Sequence, residues 1–305
     1  YKKQYQESNM FNSIYDDFKN TFRFGNMINK IILVNVVVFI LIKLINVFDF
    51  NSGFSSLLIR KLSLMADPLK ELFQPWSIIS HMFLHVGFWH ILWNMLLLYW
   101  FGRIVGDLLG DHRVLPLYLL GGFCGGIMFI LWANIAPGAS DMAFAYGASA
   151  AVWAIIMATT MLAPDYIFHL LLIGPVRIKY IALAMFLMDL ISTGNNTNTG
   201  GFFGHMGGAL FGIYFVYMLR KGRELTAGLQ SVLDGIGQWS SGNQRRARTP
   251  RSTFKIIRNE EPKKKDRSRD EQSELDRILE KISKSGMESL SSEEKDFLFQ
   301  ASKKK

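Results

Sequence analysis

The stretch His81-Met82-Phe83-Leu84-His85-Val86-Gly87-Phe88-Trp89-His90-Ile91-Leu92-Trp93-Asn94 holds three of the chain's six histidines and an asparagine in otherwise apolar sequence. Polar side chains are costly in hydrocarbon, so such a cluster inside a membrane segment marks a functional site by default. Two further polar residues stand in apolar surroundings: Ser149 in Tyr-Gly-Ala-Ser-Ala and His205 in Phe-Gly-His-Met-Gly-Gly.

Composition sets the frame for this cluster. Half of the 305 residues are hydrophobic, 24 of them Phe, which is too apolar for an ordinary soluble domain. A spanning helix needs about 20 apolar residues. Six segments meet that reading: 28–48, 86–105, 113–134, 146–163, 178–193 and 202–219. Residues 54–73 mix Leu and Ile with Arg60, Lys61 and Lys70, the pattern of an interfacial amphipathic piece. No cleavable signal peptide is evident ahead of the first span. The single cysteine, Cys124, excludes an intrachain disulfide framework. It lies in a small-residue run, Gly121-Gly122-Phe123-Cys124-Gly125-Gly126, suited to close helix packing.

Lys and Arg mark one side of the membrane. They precede the first span, bracket the second and fourth connections (Arg103, Arg113, Arg177, Lys179) and follow the sixth span. The third connection, around Pro137 to Asp141, and the fifth, Thr193 to Gly201, carry none. Both termini are therefore expected in the cytoplasm. Spans two, four and six then begin at the outer face, which brings His90, Asn94, Ser149 and His205 to one depth.

These residue types suit acyl transfer. A serine hydroxyl can attack a carbonyl if a base takes its proton and donors receive the oxyanion. Ser149 can supply the nucleophile and His205 the base. His90 and Asn94, at i and i+4, share a helix face. The Ser149 amide adds a donor if a helix starts there.

In this arrangement the chain resembles the rhomboid family of intramembrane serine proteases. The resemblance covers residues 28–219. It rests on His85, His90 and Asn94 in the second span, on Gly147-Ala148-Ser149-Ala150 at the start of the fourth, and on His205-Met206-Gly207-Gly208 with Gly212 in the sixth. It implies an all-α membrane protein with a six-transmembrane-helix core and a cytoplasmic C-terminal tail. Ser149 would be the nucleophile and His205 the base in a dyad without a carboxylate. His90, Asn94 and the Ser149 amide would form the oxyanion hole. His85 would bond the first loop, Gly147 would precede the serine, and Gly208 would let two spans approach. Three departures stand out: Ala150 where the family often has Gly, Trp153 where many members place a Tyr against the histidine, and Trp76-Ser77 where Trp-Arg is common. The implied substrates are single-span membrane proteins cut near the outer face. The implied location is a bacterial cytoplasmic (inner) membrane, with no cofactor or metal. The alternative is a non-catalytic rhomboid-like protein that binds membrane helices for quality control.

Other readings compete residue by residue. His81, His85 and His90 have spacings that permit a metal, but no carboxylate or cysteine joins them. His81 reads as merely interfacial, and His169 falls on the cytoplasmic side. Asp189 lies near the level of the site and could orient His205. An acid so close to the interface can equally reach water, and on that reading Asp189→Asn leaves turnover nearly intact.

The domain reading gives a cytoplasmic segment at 1–27, the core at 28–219, a basic linker without stable structure at 220–272 and a short helical hairpin at 273–305. Leu275, Ile278, Leu279 and Ile282 have helical spacing, and Ser291 with Glu294 forms a capping-box pattern. The hairpin is expected to bind the core or a cytoplasmic partner, and the linker to lie on anionic lipid. Nucleic acid is not an expected partner.

Overall fold

Helices that carry glycine and alanine at four-residue spacing can bring their backbones together, and this chain does so around one short helix. A computed structural model describes residues 25–49, 52–136, 143–170, 173–193, 199–240, 276–282 and 284–303. The segment 1–24, the loop around Pro137, residues 194–198 and the basic stretch 241–275 lie outside the described residues.

The described chain is mostly helical. It runs α1 (Met27–Phe48), α2 (Phe54–Leu62), β1 (Leu64–Met65), α3 (Pro68–Leu72), α4 (Ser77–Ser80), a 3-10 turn (His81–Phe83), α5 (Phe88–Leu109) and α6 (Val114–Ile135). It continues with β2 (Phe144–Ala145), α7 (Ser149–Leu162), a hairpin of β3 (Ile167–Leu170) and β4 (Gly174–Arg177), α8 (Ile178–Thr193), α9 (Thr199–Arg220) and α10 (Ala227–Ser240).

Among the described residues three helices are long and apolar enough to cross a bilayer: α1, α6 with the turn before it (Asp111–Ile135), and α9. The segments Ser77–Phe83 and Phe88–Leu109 meet at a 93° bend and make a fourth if they count as one broken span. The helix expected over 146–163 is shorter than that. With 14 residues α7 extends about 21 Å, against roughly 30 Å of hydrocarbon. Its C-terminal end lies level with that of α9, since Arg220 donates to the Met161 carbonyl. Being eight residues shorter than the 22-residue α9, it begins about 12 Å below the start of that helix. Ser149 is thereby recessed. Above it the chain runs extended, and β2 pairs antiparallel with β1 from the first loop, Leu64 opposite Ala145.

Helix α7 is the centre of the packing. Eight of its fourteen residues are buried. On one side a Cβ at Gly208 or Gly212 of α9 would come within 2.0 Å of the Ala150 carbonyl oxygen and 2.2 Å of the Ala154 carbonyl oxygen. On the other side Gly121 and Gly125 of α6 meet the Ala154 and Ala150 methyl groups. Small residues allow such backbone approach where apolar burial gives no advantage over lipid. Farther out, α1 is held by fully buried Asn35, whose amide donates to the Tyr118 hydroxyl at 3.4 Å, while Tyr118 donates to the Met82 carbonyl at 2.7 Å.

Two sequence expectations change. Residues 54–73 are tied in as well as amphipathic: Leu64, Met65 and Ala66 are buried, and buried Glu71 accepts the Met65 amide at 3.0 Å and bonds Ser77. Ser77 thus has a structural partner where the family pattern often has Arg. The expected linker 220–272 also contains α10 at 227–240. Its only charged residue is Asp234, since the basic run starts at Arg245. Just before it, Glu224 pairs at 2.7 Å with Arg113, whose side chain is 8% exposed.

The chain divides into two units at Arg246 and Ala247. In the second, Ser291 and Glu294 bond reciprocally as the capping box requires, and Lys281 pairs with Glu294 at 2.8 Å.

Two outcomes follow from this packing. Gly212→Val should lower the melting temperature in detergent by the equivalent of about 3 kcal/mol, the upper range for overpacking; an unchanged melting curve would contradict the α7–α9 contact. A chain ending after Arg246 should melt like the full chain, whereas one ending after Lys221 strips Arg113 of its partner and should melt lower.

Candidate active site

Helices α5, α7 and α9 line one cleft of about 270 Å³, with His90, Trp93, Asn94, Tyr146, Ser149, Trp153 and His205 on its walls. Three helices thus deliver to one level polar residues, Asn94, Ser149 and His205, that lie more than fifty positions apart in sequence. A second, open hollow beside Leu44, Phe48, Asp49 and Ser52 has no histidine on its walls; there Ser52 donates to Asp49, whose carboxylate accepts the Phe54 and Ser55 amides that open α2.

Ser149 is the first residue of α7, and His205 stands on the facing side of α9. The close α7–α9 approach sets their distance: His205 Nε2 lies 2.7 Å from Ser149 Oγ. Trp153, one turn after the serine, places its indole 6.3 Å from the imidazole at 31°, a tilted stack. The tryptophan therefore fills the place where a Tyr is common. The first helical bond of α7 runs from the Val152 amide to the Ala148 carbonyl. The Ser149 amide accordingly has no helix carbonyl ahead of it.

His90 and Asn94 share the cleft-facing side of α5. The Asn94 amide donates to the His90 carbonyl at 2.8 Å, which fixes its orientation and uses one of its two N–H groups. The His90 ring lies over Gly147. This glycine has φ +123°, and a Cβ there would fall 2.7 Å from the imidazole. Its positive φ and its contact with His90 both exclude a side chain.

Fully buried His85 accepts the Ala148 amide at Nε2 (3.3 Å) and sets its ring edge-on to His90 at 5.0 Å. Its Nε2 bond thus runs to the start of the serine helix. The reading of His81 as merely interfacial is corrected. His81 is 5% exposed, bonds the Ser77 carbonyl through Nδ1, and accepts the Gly147 amide on its own carbonyl at 2.8 Å. The histidines at 81 and 85, ahead of α5, therefore clamp the Gly147–Ala148 approach, leaving His90 to face the cleft.

Asp189 is the largest correction. It does not turn to water: its Oδ2 lies 2.7 Å from His205 Nδ1, and both side chains are 16% exposed. Ser149, His205 and Asp189 form one row. Tyr146, with its ring 6.3 Å from His90, was not singled out from the sequence. Its signal was its place three residues before Ser149. His169 stands in β3 and takes no part in the cleft.

These features define an α-helical integral membrane protein with a polar cleft recessed among its helices. A rhomboid domain matches residues 72–222, and a family of unknown function (DUF6576) matches residues 263–304. The chain belongs to the rhomboid family. The domain match begins after α1, so it is narrower than residues 28–219. RHOMBOID-like protein 12, mitochondrial, of Arabidopsis thaliana is 29% identical over 159 residues, covering 48% of this chain and 47% of that protein. Rhomboid protein 1, mitochondrial, of Saccharomyces cerevisiae is 26% identical over 164 residues, covering 53% and 46%. RHOMBOID-like protein 7 of Arabidopsis thaliana is 30% identical over 139 residues, covering 37% and 44%. The chain spans less than half the length of each of these relatives. They come from a plant and a yeast, and lend no support to a bacterial location.

Replacing His85 by Phe leaves the buried Ala148 amide without its acceptor. A loss of about 1–3 kcal/mol is expected in detergent-denaturation measurements; unchanged stability would remove His85 from this role.

Proposed function

We propose that this protein is an intramembrane serine endopeptidase that cuts single-span membrane proteins near the outer face of the bilayer. The observation that carries the reading is the 2.7 Å contact of Ser149 Oγ with His205 Nε2 inside a cleft recessed among apolar helices. In this reading α1, α5, α6, α7, α8 and α9 make a six-span core with both termini cytoplasmic. The short α7 and α8 complete their crossings through the β1–β2 pair and the β3–β4 hairpin. The second unit serves partner or core binding.

The chemistry follows from the residues. Ser149 Oγ attacks the scissile carbonyl carbon while His205 Nε2 takes its proton. The carbonyl oxygen becomes an oxyanion, received by the Ser149 amide, the second N–H of Asn94 and a His90 N–H. Collapse breaks the C–N bond as His205 returns the proton to the leaving amine. Water, deprotonated by the same histidine, then releases the acyl group and restores Ser149. The recess supplies that water below the lipid surface. A substrate helix must unwind to present its carbonyl, so segments with Gly, Pro or polar residues near the outer interface are favoured. A non-catalytic helix-binding role gives no reason for the base to contact the serine.

Fluorophosphonate labelling of the detergent-purified protein tests this without knowledge of the substrate. Wild type should label, and Ser149→Ala and His205→Ala should lose the label while keeping the wild-type melting temperature. A folded wild type that stays unlabelled would overturn the proposal.

A further inference from the structure

We infer that Asp189 is a positioning residue for His205, so that a carboxylate orients the base of the Ser149–His205 pair. The inference rests on the reading of Ser149 as nucleophile. Neutral imidazole carries one proton, and it acts as a base toward Ser149 only when that proton sits on Nδ1. A hydroxyl at Nε2 cannot enforce this, because it donates or accepts as required. The Asp189 carboxylate, when ionised, only accepts. At 2.7 Å from Nδ1 it therefore selects the tautomer with the proton on Nδ1 and leaves the Nε2 lone pair aimed at Ser149. The same carboxylate fixes the ring plane and offsets the imidazolium charge that forms when Ser149 gives up its proton.

Among the described residues no other carboxylate reaches the imidazole. Trp153 lies beside the ring, 6.3 Å between centroids. Among the titratable side chains, Ser149 lies at Nε2, while His90 and Tyr146 line the same cleft and bear no fixed negative charge. Asp189 is the carboxylate described at this ring. It comes from α8, of whose sixteen residues only Ile178 and Ala182, near its start, are buried. Around Asp189 that helix is held by Phe186, whose ring meets Trp153 at 6.5 Å and Phe202 at 6.0 Å. The row is therefore complete only while the last turns of α8 lie against α9.

The test is the second-order rate of fluorophosphonate labelling of the full chain in detergent, with kcat and KM for a helical substrate. Asp189→Asn keeps the shape but offers its amide to Nδ1. It should slow labelling by about tenfold or more and lower kcat with KM held. Asp189→Glu restores a carboxylate at the cost of shape, and should label faster than Asp189→Asn; a packing role predicts the reverse order. Asp189→Ala should gain labelling rate on adding formate, and not on adding chloride at equal ionic strength. This variant decides the matter if Asp189→Asn does not fold: a formate gain supports the inference and no gain overturns it. A wild type that labels beside an Asp189→Asn that labels within twofold overturns the inference and leaves the serine-protease reading intact. A folded wild type that does not label overturns both.

Discussion

The structure depends on two backbones meeting. Gly208 and Gly212 let α9 rest on the Ala150 and Ala154 carbonyls, closer than any side chain permits. The Gly208–Ala150 contact is one residue from Ser149 on one helix and about one turn from His205 on the other. A serine side chain reaches only a short way, so a hydrogen bond to a histidine on a neighbouring helix requires the axes to be unusually near. In water apolar burial could draw two such helices together. In lipid it cannot, and small residues with close packing take its place. The same glycines that stabilise the pair thus set the distance of its polar contact.

A polar cleft among membrane helices has to be reached by water, and its polar groups have to be held away from one another's unproductive contacts. The short α7 meets the first need. Its early start below the ends of its neighbours leaves room that a full-length helix would fill with backbone. The extended approach above it meets the second. β2 is paired with β1, the Gly147 amide is tied to the His81 carbonyl, and the Ala148 amide to His85. In hydrocarbon every one of these groups would be costly if left unpaired. The first loop accordingly does more than lie at the interface: it supplies the partners that let irregular backbone exist at this depth.

Much of this was legible in the sequence. Apolar runs located the long helices to within a few residues, because period and length dominate there. The polar residues Ser149, His205, His90 and Asn94 stood out against apolar surroundings, and the structure brings them to one cleft. Gly208 and Gly212, four apart on one face, announced a close approach. Other features were hidden for physical reasons. The short β1–β2 pair is two residues long on each side and has no period to read. Helix α10 was missed because it lies between the charged turn Arg220–Glu224 and the basic run from Arg245, and its glycines and serines read as linker. His81 and His85 looked alike as polar residues in an apolar run, yet their roles are set by backbone amides some sixty residues away, which no local pattern encodes.

Asp189 was visible but underweighted, and the geometry explains why it matters. The faces of the His205 ring and its edges are mostly taken. Trp153 lies beside the ring, Ser149 occupies Nε2, and the α6 side of α9 is filled by backbone contact at Gly125 and Gly204. A group that is to reach Nδ1 must come from the remaining side, which is α8. That side is also the least buried, since Leu187, Met188 and Ile191 point away from the bundle. A carboxylate held there is shielded enough for its bond to imidazole to outlast competition from water, at 16% exposure. It is not so enclosed that burying an ion would outweigh the pairing. The tight α6–α7–α9 packing that fixes the serine and the histidine therefore leaves the orientation of the imidazole to α8, the helix with the fewest buried residues among these.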